Sequence, residues 1–258
     1  MRFLVCVKLA VDVALVRADA NGQPNLDVPW RIAPFDENAV ELGATLAERH
    51  GGTVTALALV SEEPPRDLVL RLLAAGVDEA TLVIDREWAE ADALVKADVL
   101  AAAARELAPD LLLCGEASAD RYDAQIGPRL AEALQWPCAA WCTRLALDGR
   151  TMIADRALDD VIETVSADLP AVATVGQEMN EPRLPSVLQI LAAGRKPVER
   201  WTRERLTVPE RRCTVTLGVA APPQLRRGLR LDAREKGPEA IATRLLEDLG
   251  RDGLLGDL

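Results

Sequence analysis

The chain has 258 residues, 49% of them apolar and only 3% aromatic, so aliphatic side chains must fill the core. That length predicts one domain plus an appendage. A formal charge of −11 excludes a general nucleic-acid or anionic-membrane binder, which needs clustered Lys and Arg.

The start, MRFLVCVKLAVD, lacks a small-residue cleavage site and reads as a strand, Phe3 to Val7, rather than a signal peptide. Asp36 to Arg49 carries Ala39, Val40, Leu42, Gly43 and Leu46 at helical spacing. His50, the single histidine, ends this helix in AERHGG, where a cation meets the negative end of the helix dipole and Gly51 closes the turn. With one histidine and no G-x-S-x-G elbow, a Ser-His-Asp hydrolase is excluded and no catalytic residue is assigned. Val54 to Val60 predicts a second strand, Arg66 to Ala75 a helix ended by Gly76, Thr81 to Ile84 a strand, Ala91 to Leu107 a helix, and Leu111 to Cys114 a fourth strand. Strands separated by such helices predict a doubly wound α/β domain with a mainly parallel sheet.

The Ala124 to Gln135 helix follows, and after Trp136-Pro137 the rhythm changes. Trp141 to Leu147, Thr151 to Asp155, Val161 to Val165 and Ala171 to Val175 are short and β-like with no helix between them, which predicts an antiparallel extension of the sheet. From Asn180 the chain turns Pro- and Arg-rich, then offers a strand-like CTVTLGV, a Pro-Pro break and a short helix from Pro238 to Leu249. Residues 1–200 therefore read as the α/β domain and 201–258 as an arm too poor in apolar surface to fold on its own core. The five cysteines, Cys6, Cys114, Cys138, Cys142 and Cys213, are scattered, and without histidine partners they predict free thiols in a reducing cytoplasm and no metal site. No apolar run reaches the roughly 18 residues of a membrane span.

In open parallel sheets a ligand sits beyond the carboxyl ends of the strands. Three loops are candidates for that edge: Lys8 to Val11, Ile32 to Asp36, and Gly115 to Gln125 within the stretch GEASADRYDAQIGP. Gly115, Ala117 and Ser118 allow close approach to the backbone, and the amino end of the Ala124 helix suits a phosphate. Asp120 and Asp123 repel a phosphate and suit ribose hydroxyls or an exocyclic amine; Asp123 also reads as a plain helix N-cap. A G-x-G-x-x-G fingerprint and a Walker lysine are both missing, which disfavours a standard dinucleotide fold or NTPase.

The ordered set VKLAVD, IAPFDENAVELG, GEASADRYDAQIGPRLAEALQWP, LPAVATV and NEPRLPSVLQILAAGRKP resembles the β subunit of electron transfer flavoproteins over residues 1 to about 200, and APPQLRRG resembles that family's C-terminal arm. The resemblance implies a Rossmann-like fold. It also implies a heterodimer with an α-type subunit, FAD at the subunit interface, electrons arriving from a flavin dehydrogenase (acyl-CoA dehydrogenase or related) and leaving to a quinone reductase. It implies a buried adenine nucleotide in this chain, AMP in many members and a second FAD in electron-bifurcating ones that oxidise NADH. Carried over by motif, the nucleotide residues are Ala10, the Ala33-Pro34-Phe35-Asp36 loop, and Gly115, Glu116, Ala117, Ser118, Asp120, Arg121, Asp123, Ala124, Gln125 and Ile126. Ala33 stands where an asparagine is usual, and Arg121 and Tyr122 are bulkier than the family pattern. NEPRLPSVL resembles the loop that anchors on the dehydrogenase, through Arg183, Leu184, Val187, Leu188 and Ile190. The competing reading packs Val187, Leu188, Ile190 and Leu191 on this subunit as one helix face. A non-redox adenine-nucleotide sensor on the same scaffold, working as a homodimer, is the remaining alternative.

Overall fold

The computed structural model describes residues 1–19, 21–210, 214–218 and 230–254. It falls into two compact units, Met1–Ala220 and Ala221–Leu258. The first begins with β1 (Arg2–Cys6), then the short β2 (Leu9–Val11), β3 (Arg17–Ala18), β4 (Pro24–Asn25) and β5 (Trp30–Ile32). Next come α1 (Pro34–His50), β6 (Thr53–Val60), α2 (Arg66–Ala74), β7 (Glu79–Ile84), α3 (Arg86–Glu90), α4 (Ala93–Leu107), β8 (Leu111–Gly115) and α5 (Ile126–Leu134). The unit closes with β9 (Cys138–Asp148), β10 (Thr151–Ala157), β11 (Ile162–Asp168), β12 (Ala171–Val175), α6 (Val187–Ala193) and β13 (Val198–Trp201).

Nine strands form one sheet in the order β11-β10-β9-β12-β8-β1-β6-β7-β13. Every neighbouring pair from β9 to β13 runs parallel, and β9, β10 and β11 form an antiparallel meander at one edge. The sheet is covered on both faces. Because successive strand residues point to opposite sides, Phe3 and Val5 pack with α1, α2 and α6, while Leu4 and Cys6 pack with α3, α4 and α5. This is the doubly wound, Rossmann-like architecture expected. Alanines carry much of the second layer: Ala101, Ala102, Ala103 and Ala104 of α4 are buried, and their small side chains let that helix lie close to the strands.

Three expectations are corrected. Ala171–Val175 is not part of the antiparallel extension; β12 returns to the middle of the sheet, parallel to both β8 and β9 and buried along its length. A strand buried on both faces reads as a continuous apolar run, which is what AVATV is. The fifth helix starts at Ile126 rather than Ala124, because Tyr122 and Ala124 both take positive φ (51° each) and cannot belong to a right-handed helix. The strand expected over CTVTLGV is irregular across residues 214–218, and its two ends lie outside the described residues, as does APPQLRRG.

In the second unit α7 (Ala233–Lys236) precedes α8 (Pro238–Arg251), which opens on proline at a first-turn position where no N–H is needed. Helix α8 buries none of its residues, and Leu245 and Leu246 are exposed. No helix among the described residues is long and apolar enough to cross a membrane.

Candidate functional site

Beyond its carboxyl end β1 parts from its neighbours: the chain crosses to β6 on one side and reaches β8 on the other only later, so the order reverses at β1/β8. A cleft opens at this switch point, where open α/β sheets hold their ligands. Its floor is apolar, from Cys6 and Val7 of β1's end, Leu57 and Leu59 of β6, and Cys114 of β8. One wall is the loop from Gly115 to Ile126 and the other is α4, which turns Ala93, Lys96 and Leu100 inward at helical spacing.

Asp36 ties the site together. Pro34 opens α1 at a position that tolerates it, Ala33 caps the helix without any side-chain bond, and Asp36 falls in the first turn. Its Oδ2 accepts the Lys8 N–H at 2.7 Å and its Oδ1 the Gly115 N–H at 3.1 Å, so one carboxylate pins the exits of β1 and β8 to the start of α1. Burial pushes this carboxyl up to about 7, against the two N–H bonds that favour the charged form. Gly115 admits no side chain here: a Cβ would lie 2.5 Å from Asp36 Oδ1 and 2.7 Å from Phe35 Cβ.

The charged groups around the cleft are Lys8, Lys96 and Arg121 against Glu116, Asp120 and Asp123. Lys8 Nζ pairs with Asp120 at 2.5 Å, closing the loop over the end of β1. Lys8 and Ser118 hold the Asp120 carboxyl below its ordinary range despite the opposing pull of burial. Burial pushes the Lys96 ammonium down to about 8, helped by repulsion from Lys8 and Arg121 and opposed by Asp120 and Asp123. Burial, then the Glu178 carboxylate, raises Glu116.

Of the carried-over residues, Asp36, Gly115, Glu116, Ala117, Ser118, Arg121, Asp123, Ala124, Gln125 and Ile126 line the cleft. Asp120 stands beside it through Lys8. Ala10, Ala33, Pro34 and Phe35 do not line it. Ala10 pairs with Arg31 in the β2–β5 ladder, and Phe35 is buried with its ring 5.9 Å from that of Tyr122. Asp123 is not the cap of α5, since Gln125 holds that place. Gly127 lets α5 reach the sheet, where a Cβ would come within 2.1 Å of Thr174 Cγ2. Lys96 was missed in the sequence reading; its signal was a lysine at helical spacing from Ala93 and Leu100 on an alanine-rich helix. Lys8 stood in a candidate loop without being singled out.

The NEPR segment lies against α1, on the other layer. Asn38, buried, donates to the Asn180 carbonyl at 2.7 Å, and Asn180 Nδ2 donates back to the Asn38 carbonyl at 3.0 Å. Arg183 forks onto Glu41, with Nε to Oε2 at 2.7 Å and an NH2 group to Oε1 at 2.9 Å, and reaches Glu48 at 2.6 Å. Its guanidinium is thus engaged within the chain. Lys196 is likewise held, donating to the Leu73 and Val77 carbonyls near the end of α2. Beyond this anchor, Leu184 is 94% exposed, Val187 74% and Leu188 77%, and Leu191 is exposed too, while Ile190 turns inward onto the core. The four apolar residues of this short helix therefore do not form one packed face. Ser186 and Gln189 cap α6 reciprocally, which holds Val187 and Leu188 in place on its first turn.

Comparison with known proteins adds two findings. A family profile described as an electron transfer flavoprotein domain matches residues 25–206. The electron transfer flavoprotein subunit beta of Bacillus subtilis (strain 168) is 36% identical over 182 residues, 70% of each chain. The subunit of the same name from Clostridium acetobutylicum is 34% identical over 212 residues, 81% of each chain.

Proposed function

Since the chain belongs to the electron transfer flavoprotein family, we propose that it serves as the β subunit of a heterodimer with an α-type partner. In this reading an FAD lies at the interface of the two subunits and carries electrons from a flavin dehydrogenase, of the acyl-CoA dehydrogenase kind, towards a quinone reductase. The redox chemistry belongs to the flavin, and this chain contributes binding surfaces and the electrostatic setting. The cleft at the β1/β8 switch takes an adenine nucleotide, AMP, as a structural ligand.

The observation that supports the nucleotide is the cleft itself. It has an apolar floor for a base, small residues Ala117 and Ser118 where backbone meets ligand, carboxylates that suit ribose hydroxyls, and the amino end of α5. The exposed Leu184, Val187, Leu188 and Leu191, braced by Arg183 and the Asn38–Asn180 pair, suit a small apolar anchor for the dehydrogenase. Leu245 and Leu246 of α8 suit docking of the arm onto the α-type partner.

The test is to co-express the chain with its α-type partner, denature the purified complex and quantify the released nucleotides. One FAD and one AMP per heterodimer is the expected result. Two FAD and no AMP transfers the chain to the bifurcating class, and no nucleotide beyond a single FAD removes the ligand from this cleft.

A further inference from the structure

We infer that Cys6 and Cys114 form a redox-active dithiol in the floor of the cleft, a modification site that hydrogen peroxide converts to a reversible disulfide between β1 and β8. The inference does not depend on which ligand the cleft takes.

Three observations carry it. The two residues are register partners on adjacent parallel strands, and their side chains lie in the same layer of the core. Neighbouring strands run about 4.7–4.9 Å apart, inside the roughly 4.4–6.8 Å between Cα atoms that a disulfide bridges. Both thiols are free and only 6% and 3% exposed, yet both line the cleft, so a molecule the size of peroxide reaches them from its mouth. Finally, the Cys114 thiol is hydrogen-bonded to the Cys6 sulfur, which together with burial pushes it well above its ordinary range. Cys114 therefore keeps its proton, and Cys6 is the sulfur that attacks first. Cys138 and Cys142 lack such a partner across the β9–β12 ladder, where they stand opposite Val172 and Val175. Cys142 is moreover pushed up to about 12 by burial and donates to the Ala139 carbonyl at 3.2 Å. A solitary buried thiol serves as a small apolar packing residue, but two in contact at the open end of a strand pair are placed to react with each other.

In the reaction Cys6 gives up its proton to water, and its thiolate attacks one peroxide oxygen. The O–O bond breaks, hydroxide leaves and takes up that proton as water, and Cys6 becomes a sulfenic acid. The Cys114 sulfur then attacks the Cys6 sulfur. The S–O bond breaks, and the Cys114 proton leaves with the oxygen as a second water. Two thiols are oxidised and one peroxide is reduced. Asp36 already ties the exits of both strands through the Lys8 and Gly115 N–H groups, so the two sulfurs are held together before the oxidant arrives. A dithiol reductant reverses the bond by thiol–disulfide exchange.

The experiment is oxidation of the reduced, native full chain with hydrogen peroxide, alkylation of the remaining thiols without reduction, and peptide mass spectrometry. The expected product is a peptide pair joined through Cys6 and Cys114, two hydrogens lighter than the sum of its reduced peptides and absent after dithiothreitol. In Cys114→Ala, Cys6 should stop at the sulfenic acid and take a dimedone label, whereas Cys6→Ala should leave Cys114 unlabelled. Cys6 and Cys114 recovered as separate alkylated peptides while the exposed Cys138 is oxidised would overturn the site, as would Cys6 joined to any other cysteine. Dimedone labelling of Cys114 in Cys6→Ala would overturn the order of attack. The native arm decides the site even if a variant fails to fold.

Discussion

Asp36 is a buried carboxyl with two backbone N–H groups to satisfy, and both its shape and its charge matter. Asparagine offers a single acceptor oxygen, so in Asp36→Asn either the Lys8 or the Gly115 N–H faces an amide NH2. The expected cost is about 1–3 kcal/mol in urea unfolding. The folded carboxyl titrates near 7 against an ordinary 3.8, so its contribution to stability is fully present below about pH 4 and is lost as pH rises through 7. The stability difference between the native chain and Asp36→Asn should therefore shrink from pH 5 to pH 8; an unchanged difference would mean the carboxyl is ionised throughout. Gly115→Ala tests the same junction from the other side. Its Cβ meets a carboxylate oxygen and a helix-start side chain, so a loss of about 1–3 kcal/mol is expected in the same assay. Native-like stability in this variant would show that the loop has slack.

At the scale of elements, α6 and the segment before it divide into an anchored half and a presented half. Asn180 and Arg183 are bound to α1 through Asn38, Glu41 and Glu48, residues spaced so that one face of that helix receives them all. Arg183→Ala removes a half-buried fork and strands Glu41, so it should cost about 1–3 kcal/mol. Val187 and Leu188 touch little of this chain. The double variant Val187→Ala, Leu188→Ala should unfold within about 0.5 kcal/mol of native, yet slow electron transfer from the dehydrogenase when the heterodimer is assayed with it. Unaltered transfer would move the anchor elsewhere, and a large loss of stability would return these residues to the core.

For the whole molecule, a ligand that binds only the folded state stabilises it by mass action. Nucleotide at about a hundred times its dissociation constant adds about 2.7 kcal/mol. Because Cys6, Lys8, Asp36, Cys114 and the Gly115–Ile126 loop all meet at the cleft, that stabilisation reaches both sides of the β1/β8 junction. AMP added to nucleotide-free chain should raise the melting temperature in a concentration-dependent way, read by differential scanning calorimetry. A melting temperature indifferent to AMP would remove the structural role from the nucleotide.

The sequence by itself determined the parallel, doubly wound order, because hydrophobic periodicity and helix-length crossovers leave few other arrangements for β1, β6, β7 and β8. It also marked the GEASADRYDAQIGP loop as an open edge of the sheet, since small and acidic residues directly after a buried strand end it in a loop, and that loop forms one wall of the cleft. Tertiary structure alone decided where β12 lies, as an apolar run of five residues is compatible with an edge or a centre until its neighbours are known. It alone moved the start of α5 past Ala124, where two left-handed residues override helix propensity. And it alone brought Lys96 to Lys8 and Arg121, and Arg183 to Glu41 and Glu48, because pairings between residues some 25 to 142 positions apart arise only once helices have packed on the sheet.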